Sequence, residues 1–157
     1  EFLLACETTG RERFLVLGLL SRHFATALWS NEKDERLTEV HYYGYADYYK
    51  QMPHIFHDAK INLNIALRVI QTGIPLRVLD VMGCGGFVLT NYREEIAEHF
   101  VNGVECVIYE DIEDMYAKAQ YYLSHDTERR QIAANGLAKV QRDFTFEQAL
   151  TGMLGAE

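Results

Sequence analysis

The alternation of short apolar runs with longer helical segments constrains the fold of this chain more than any other feature. Runs of β-branched and aromatic residues typical of strands recur at residues 24–29, 40–43, 61–66, 87–90 and 105–109. Segments with helical spacing of apolar residues lie between and after them, at residues 11–23, 53–59, 73–82, 93–100, 112–123 and 127–142. This order predicts an α/β fold, in which a parallel sheet is sandwiched between helices in an αβα arrangement.

The two ends of the chain are less clearly patterned. The apolar run at residues 2–6 fits either a first strand or the end of a helix, and Thr8 or Thr9 is the expected cap of the helix that follows. A C-terminal helix is expected from about residue 145 to 157. The 157 residues suit one domain with a single core. Because residue 1 is Glu rather than Met, we expect this domain to belong to a longer protein.

Charge and cysteine content exclude several classes of protein. The chain has 15 Lys and Arg against 23 Asp and Glu, a net charge of −8, which argues against nonspecific binding to nucleic acid. Its three cysteines, Cys6, Cys84 and Cys106, are too few and too far apart for a disulfide framework, so a reduced, cytoplasmic location is expected. The longest apolar run, residues 14–20, is too short to cross a membrane.

Ligands of parallel α/β sheets bind beyond the carboxyl ends of the strands. The loops at those ends are expected at residues 31–33, 44–47, 67–73, 91–93 and 110–111. Gly44 and Asn91 begin two of these loops and are candidate ligand contacts. Arg68 follows the strand at residues 61–66, where a guanidinium could clamp a diphosphate.

The glycine-rich stretch at residues 73–90 allows two interpretations. In the first, Val78-Leu79-Asp80 is a strand and residues 83–86 form the loop of an S-adenosylmethionine-dependent methyltransferase. Such a loop leads into a helix, whereas residues 87–90 have the pattern of a strand. In the second, residues 75–82 form a helix and the glycines form the turn into the next strand.

The second interpretation creates a site for an anion. The amides of Gly73 and Ile74 would lie at the start of the helix, where free N–H groups bind phosphate. Asp80 would lie two turns further on, where its carboxylate could accept hydrogen bonds from a ribose diol.

Several short motifs follow one another along the chain: Gly44-Tyr-Ala-Asp-Tyr-Tyr, Lys60-Ile-Asn-Leu-Asn-Ile, Gly73-Ile-Pro-Leu-Arg-Val-Leu-Asp, Met82-Gly-Cys-Gly-Gly-Phe, Leu89-Thr-Asn-Tyr, Tyr121-Tyr-Leu-Ser-His, Arg129-Arg and Phe144-Thr-Phe. Together they resemble the motifs of the CgeB-like (spore-maturation-type) group of GT-B glycosyltransferases. They occur in the right order over roughly residues 40 to 150. The resemblance implies that residues 1–157 form one Rossmann-like domain, the C-terminal half of a GT-B fold. It also implies that this domain binds a nucleotide sugar.

The resemblance also implies a reaction and a set of site residues. It implies a retaining, metal-independent hexosyltransferase with no cofactor beyond its nucleoside-diphosphate sugar donor. Relatives carry two glutamates eight positions apart, which correspond here to Thr72 and Asp80, and the loss of the first acid is a departure from the pattern. Arg77 lies between them and could contact a phosphate or pair with Asp80. The acceptor-binding domain would precede this chain, which alone would be inactive.

Two other hypotheses remain open on the sequence. A non-catalytic αβα scaffold or interaction domain would keep the fold without donor binding, and the threonine at position 72 is compatible with it. His54 and His57 have helical spacing that suits a metal, but the sequence offers no further ligand and a solvated helix face is the simpler interpretation. No metal site is therefore predicted.

Overall fold

The computed structural model describes residues 2–66, 73–145 and 147–148 of a mixed α/β protein. Its elements are α1 (Phe2–Ser21), β1 (Ala27–Trp29), β2 (His41–Gly44), α2 (Met52–Asp58), β3 (Asn62–Asn64), α3 (Leu76–Gly83), β4 (Val88–Asn91), α4 (Glu94–His99), β5 (Val107–Tyr109), α5 (Ile112–Ser124) and α6 (Asp126–Asp143). The strands form a two-stranded sheet, β1-β2, and a three-stranded sheet, β3-β4-β5, and every pairing is parallel. The predicted α/β class with parallel strands is therefore confirmed.

The chain divides into two compact units, which are described separately. Unit 1 comprises Glu1–Met52 with Ile65–Thr72, and unit 2 comprises Pro53–Asn64 with Gly73–Glu157, each in its described part. None of the described helices combines the length and the apolarity that crossing a bilayer requires.

Unit 1 is built on the long helix α1. This helix runs without a break through Thr8 and Thr9, so the expectation that one of them caps a helix is wrong. Thr9 is fully buried, and it lies at helical spacing from the buried Val16 and Leu20, so its side chain faces the core of the unit. Arg13 Nη2 donates a hydrogen bond of 2.9 Å to the carbonyl oxygen of Ile65, which ties α1 to the chain beyond β3.

Unit 2 surrounds the three-stranded sheet. The central strand β4 is buried along Val88, Leu89 and Thr90, and it packs between β3 and β5 and against helices α3 and α5. Close packing of α6 is possible at Gly136, where an added Cβ would lie 2.6 Å from the carbonyl oxygen of Glu105. Gly86 occupies a similarly crowded position in the turn between α3 and β4.

The start of α3 differs from its predicted position. Helix α3 begins at Leu76 rather than at residue 73, because Pro75 has extended backbone (ψ 124°) and Gly73 has a positive φ of 96°. The helix predicted from about residue 145 lies mostly outside the described residues.

Arg129 on α6 is a buried cation whose loss is expected to destabilise unit 2. Its guanidinium donates to the carbonyl oxygen of Tyr122 at 2.8 Å and pairs with Asp126, and the residue is only 5% exposed. Arg129→Met would leave that buried carbonyl unsatisfied, so we expect the free energy of unfolding to fall by about 1–3 kcal/mol in urea titrations. The hydrogen bond from Arg129 lowers the pKa of Asp126. The stability gained from that carboxylate is present above its ordinary pKa of 3.8 and is lost as the pH falls through the lowered pKa. The free energy of unfolding of Arg129→Met should therefore change less with pH in the acid range than that of the wild-type chain.

Arg130→Met is the control for this prediction. Arg130 pairs with the same carboxylate at 2.7 Å, but its side chain is 77% exposed. Removing it should change the unfolding free energy by less than about 0.5 kcal/mol. Equal effects of the two substitutions would show that burial of Arg129 contributes nothing.

Candidate functional site

The carboxyl edge of the three-stranded sheet is the candidate site in unit 2. Asn64, Thr90 and Asn91 lie at this edge, at the ends of β3 and β4. Asn64 Nδ2 donates a 3.0 Å hydrogen bond to Thr90 Oγ1, which fastens the two strand ends together. Asn91, predicted as a ligand contact, is half-buried at the last position of β4, so the structure places it at the edge where a ligand would bind.

Helix α3 begins at the same edge. It links the parallel strands β3 and β4, so it runs back along the sheet and its N-terminus lies at their carboxyl ends. The first hydrogen bond at its start joins the Val78 amide to the Pro75 carbonyl oxygen at 2.9 Å. The amides of Leu76 and Arg77 precede that bond and have no acceptor within the helix, whereas Pro75 has no N–H. The start of α3 therefore offers two donors to an anion.

The loop before α3 is fastened by a contact that the sequence does not reveal. The Gly73 amide donates a 2.7 Å hydrogen bond to Glu95 Oε1 in the first turn of α4. Gly73 is exposed, and Ile74 beside it is half-buried. The Gly73 amide, which was predicted to bind a diphosphate, thus already donates a hydrogen bond to a carboxylate.

Asp80 lies in the second turn of α3 and is half-buried. Its carboxylate forms no hydrogen bond or ion pair with any residue that the structure describes. Burial and the charge of Asp80 raise the pKa of the Cys84 thiol, so Cys84 is a thiol rather than a nucleophilic thiolate at neutral pH. Asp80 is therefore a partly dehydrated carboxylate available to accept hydrogen bonds from a ligand.

Arg77 is the cation that the structure places on α3. Its guanidinium carbon lies 5.3 Å from the centre of the Phe56 ring, and it forms no ion pair with Asp80 within the described residues. The alternative in which the two side chains pair is therefore not the arrangement observed. Arg93, which the sequence interpretation did not single out, is a second cation at the edge, at the residue before α4.

Three further residues were predicted for the site from the sequence. Arg68 and Thr72 lie outside the described residues. Gly44 belongs to unit 1, where it ends β2 with a positive φ of 74° and its carbonyl oxygen accepts a 2.9 Å hydrogen bond from the Ser30 amide. Next to Gly44, Tyr43 is 62% exposed and stacks on Trp29 with ring centres 4.9 Å apart.

Gly83 ends α3, and Gly85 and Gly86 lie in the turn between α3 and β4. This helix-to-strand order is opposite to the strand-to-helix order that the methyltransferase interpretation needs, and that interpretation is wrong for this reason. His57 Nδ1 lies 3.0 Å from the carbonyl oxygen of Cys84 in the same turn, so His57 has a structural contact there.

Sequence reasoning missed Glu95 and the amides of Leu76 and Arg77. Glu95 was visible only as a favourable charge in the first turn of a helix. Its contact joins residues 22 positions apart, and no local pattern encodes that distance. The amides were misplaced because the start of α3 was expected three residues too early.

Comparisons with known proteins agree with this architecture. A family model described as glycosyl transferase-like matches residues 2–155. Spore protein CgeB of Bacillus subtilis (strain 168) is 29% identical over 109 residues, which are 69% of this chain and 32% of CgeB. The chain therefore spans about a third of the length of this relative.

Solved structures show the same fold at low sequence identity. Anabaena Alr3699/HepE in complex with UDP-glucose superposes with a TM-score of 0.71 at 15% identity, over 92% of this chain and 45% of HepE. The C-terminal domain of the glycosyl transferase group 1 family protein LpcC from Francisella tularensis superposes with a TM-score of 0.68 at 16% identity, over 89% of this chain and 82% of that structure. These likenesses confirm the Rossmann-like fold of the C-terminal half of a GT-B glycosyltransferase.

Proposed function

Since the chain belongs to the glycosyl transferase-like family, we propose that it binds the nucleoside-diphosphate sugar donor of a glycosyltransferase. The observation that carries this proposal is the position of Asp80. Its carboxylate is half-buried and has no partner among the described residues. It lies on α3, whose free first amides are at the carboxyl edge of the sheet. A carboxylate and free amides on one helix suit the two ends of a nucleoside diphosphate, which are a ribose diol and a pair of phosphates.

Each group in the site has a proposed role. Asp80 accepts hydrogen bonds from the ribose hydroxyls, and the amides of Leu76 and Arg77 donate to the diphosphate. The Arg77 side chain and Arg68 supply positive charge, while Gly73, Ile74 and Asn91 line the carboxyl edge of the sheet in unit 2. Thr72, next to Gly73 in the sequence, is a further proposed donor contact. A donor contact at Gly44 remains a prediction from the sequence. The complex of HepE with UDP-glucose, a protein with the same fold, makes a nucleotide sugar a reasonable ligand class.

The chemistry proposed for the site is stabilisation of a leaving group. When the glycosidic bond to the diphosphate breaks, negative charge develops on the phosphate oxygen that departs. Preorganised amides and a guanidinium stabilise that charge more in the transition state than in the ground state. In this proposal the reaction retains the anomeric configuration of a hexose. It needs neither metal nor cofactor, because the amides and the guanidinium stabilise the departing phosphate in place of a metal ion.

The chain supplies only part of the proposed enzyme. Because it spans 32% of CgeB, we place acceptor binding on a further domain of a longer, cytoplasmic protein. Residues 1–157 would then act as the nucleotide-sugar-binding domain, and alone they would bind donor without transferring sugar. One observation favours the alternative of a non-catalytic domain: the Glu95 carboxylate already holds the Gly73 amide.

A thermal-shift panel tests the proposal. UDP, GDP, ADP and dTDP, with their sugar conjugates, are added to the chain with magnesium or with EDTA. A nucleoside diphosphate at 100 times its Kd should raise the free energy of unfolding by about 2.7 kcal/mol, and the melting temperature with it. We expect one base to produce the shift, equally with magnesium and with EDTA.

The matching nucleoside without phosphates is the control, and it should shift the melting temperature far less. S-adenosylmethionine in the same panel should have no effect. If no nucleoside diphosphate changes the melting temperature at millimolar concentration, donor binding by this chain is refuted and the non-catalytic alternative is favoured.

A further inference from the structure

We infer that Glu95 is an autoinhibitory residue of the donor site, whose carboxylate occupies the Gly73 amide until the diphosphate of a donor displaces it. The inference rests on the proposed function, because it concerns how a nucleoside diphosphate gains access to that site. It assigns to Glu95 a role in setting the affinity and the charge selectivity of the site.

The contact between Gly73 and Glu95 is a direct hydrogen bond. The Gly73 amide and Glu95 Oε1 are 2.7 Å apart, a short hydrogen bond to a charged acceptor. The Glu95 side chain makes no other hydrogen bond or ion pair with the described residues. Among the described residues no cation pairs with this carboxylate, so its described attachment is the amide that a ligand anion would bind.

The hydrogen bond between Gly73 and Glu95 can break at a low cost in free energy. It is exposed to solvent, so both the amide and the carboxylate regain hydrogen bonds with water when they separate. Among the described residues, apart from the chain neighbours of Gly73, no heavy atom lies within 4 Å of its missing Cβ position. Its positive φ of 96° is accessible to glycine and strained for other residues, so the amide keeps its orientation at little backbone cost.

The Glu95 carboxylate also repels an anion that approaches the Gly73 amide. A diphosphate entering the edge would bring its negative charge close to a carboxylate bound to the same amide, and two anions so close repel each other. The incoming anion must therefore expel Glu95, and a diphosphate does so more effectively than a singly charged anion. The site would thus reject weakly charged ligands and bind nucleoside diphosphates less tightly than its amides alone allow.

The test compares two substitutions that remove the same charge. Glu95→Gln removes the anion that bonds to the Gly73 amide. Glu94→Gln removes an anion one position earlier in the same first turn of α4, where the side chain has no described contact with Gly73. Titration calorimetry with UDP, and separately with inorganic pyrophosphate, measures Kd for the wild-type chain and for both variants.

We expect Glu95→Gln to bind both probes about three- to tenfold more tightly, which is the scale of one exposed charged contact, and Glu94→Gln to change Kd less than about twofold. Glu95→Ala should also bind more tightly, because the competing acceptor is gone. In nitrogen-15 spectra of glycine-labelled wild-type chain, pyrophosphate should shift the Gly73 amide, and Glu95→Ala should shift the same signal without ligand.

The outcomes separate the two proposals. If the wild-type chain binds UDP and the Glu95 variants bind it equally or more weakly, Glu95 only braces the loop and the inference is wrong while the proposed function stands. If neither UDP nor pyrophosphate nor any other nucleoside diphosphate of the thermal-shift panel binds to the wild-type chain or to any variant, the proposed function fails. If pyrophosphate binds without moving the Gly73 signal, the amide is not the contested donor and the inference is wrong.

Discussion

Gly86→Ala is expected to unfold unit 2 at room temperature or to lower its free energy of unfolding by more than about 3 kcal/mol. A Cβ at this position would lie 2.5 Å from the carbonyl oxygen of Phe56, 2.8 Å from Asn62 Nδ2 and 2.9 Å from Val81 Cγ1. The nearest of these atoms is backbone, so no side-chain rotation removes the clash. The Asn62 amide is also fixed, because it donates to the carbonyl oxygens of Phe56 at 2.9 Å and Phe87 at 3.3 Å.

Urea titration followed by circular dichroism measures this effect, and Gly83→Ala is the matched control. Gly83 lies in the same glycine cluster at the end of α3, and an added Cβ there would meet no atom within 4 Å. Because alanine favours helix over glycine, the control should be neutral or stabilising by up to about 1 kcal/mol. A loss of less than about 1 kcal/mol in Gly86→Ala would mean that the chain around Phe56 relaxes, and the packing argument would fail.

Gly86 illustrates what the sequence can and cannot predict about this fold. The glycine cluster correctly predicted a turn between a helix and a strand, because that information is local. Which glycine is indispensable depends on Phe56 and Asn62, which are distant in sequence and meet Gly86 only in the folded unit. Hydrophobic periodicity likewise located most helices and strands, whereas α1 was predicted too short because its polar residues at positions 8 and 9 resembled a cap.

The site shows the same division between local and distant information. Asp80 could be proposed from sequence because it shares one short helix with the amides that precede it. The hydrogen bond from the Gly73 amide to Glu95 could not, because it joins the loop before α3 to the first turn of α4. Pro75 also delayed the start of α3, which moved the free amides from Gly73 and Ile74 to Leu76 and Arg77.

Asp80→Asn is expected to weaken binding of the nucleoside diphosphate that shifts the wild-type chain by about ten- to a hundredfold. The substitution keeps the size and shape of the side chain but removes the charge, and hydrogen bonds to a charged group contribute about 1.5–3 kcal/mol each. Because the carboxylate has no described partner within the chain, its neutralisation should alter the free energy of unfolding by less than about 0.5 kcal/mol. Calorimetry and urea titration on the same preparation measure the two effects.

Asp58→Asn is the control, since it removes one negative charge from unit 2 at the last residue of α2 rather than from α3. It should leave Kd within about twofold of the wild-type value, because charges at exposed positions are screened by salt. Inorganic pyrophosphate adds a further check, because it has no ribose and its Kd should respond little to Asp80→Asn. If Asp80→Asn weakens pyrophosphate and the nucleoside diphosphate equally, Asp80 acts on the phosphates or on the fold, and its assignment to the ribose is wrong.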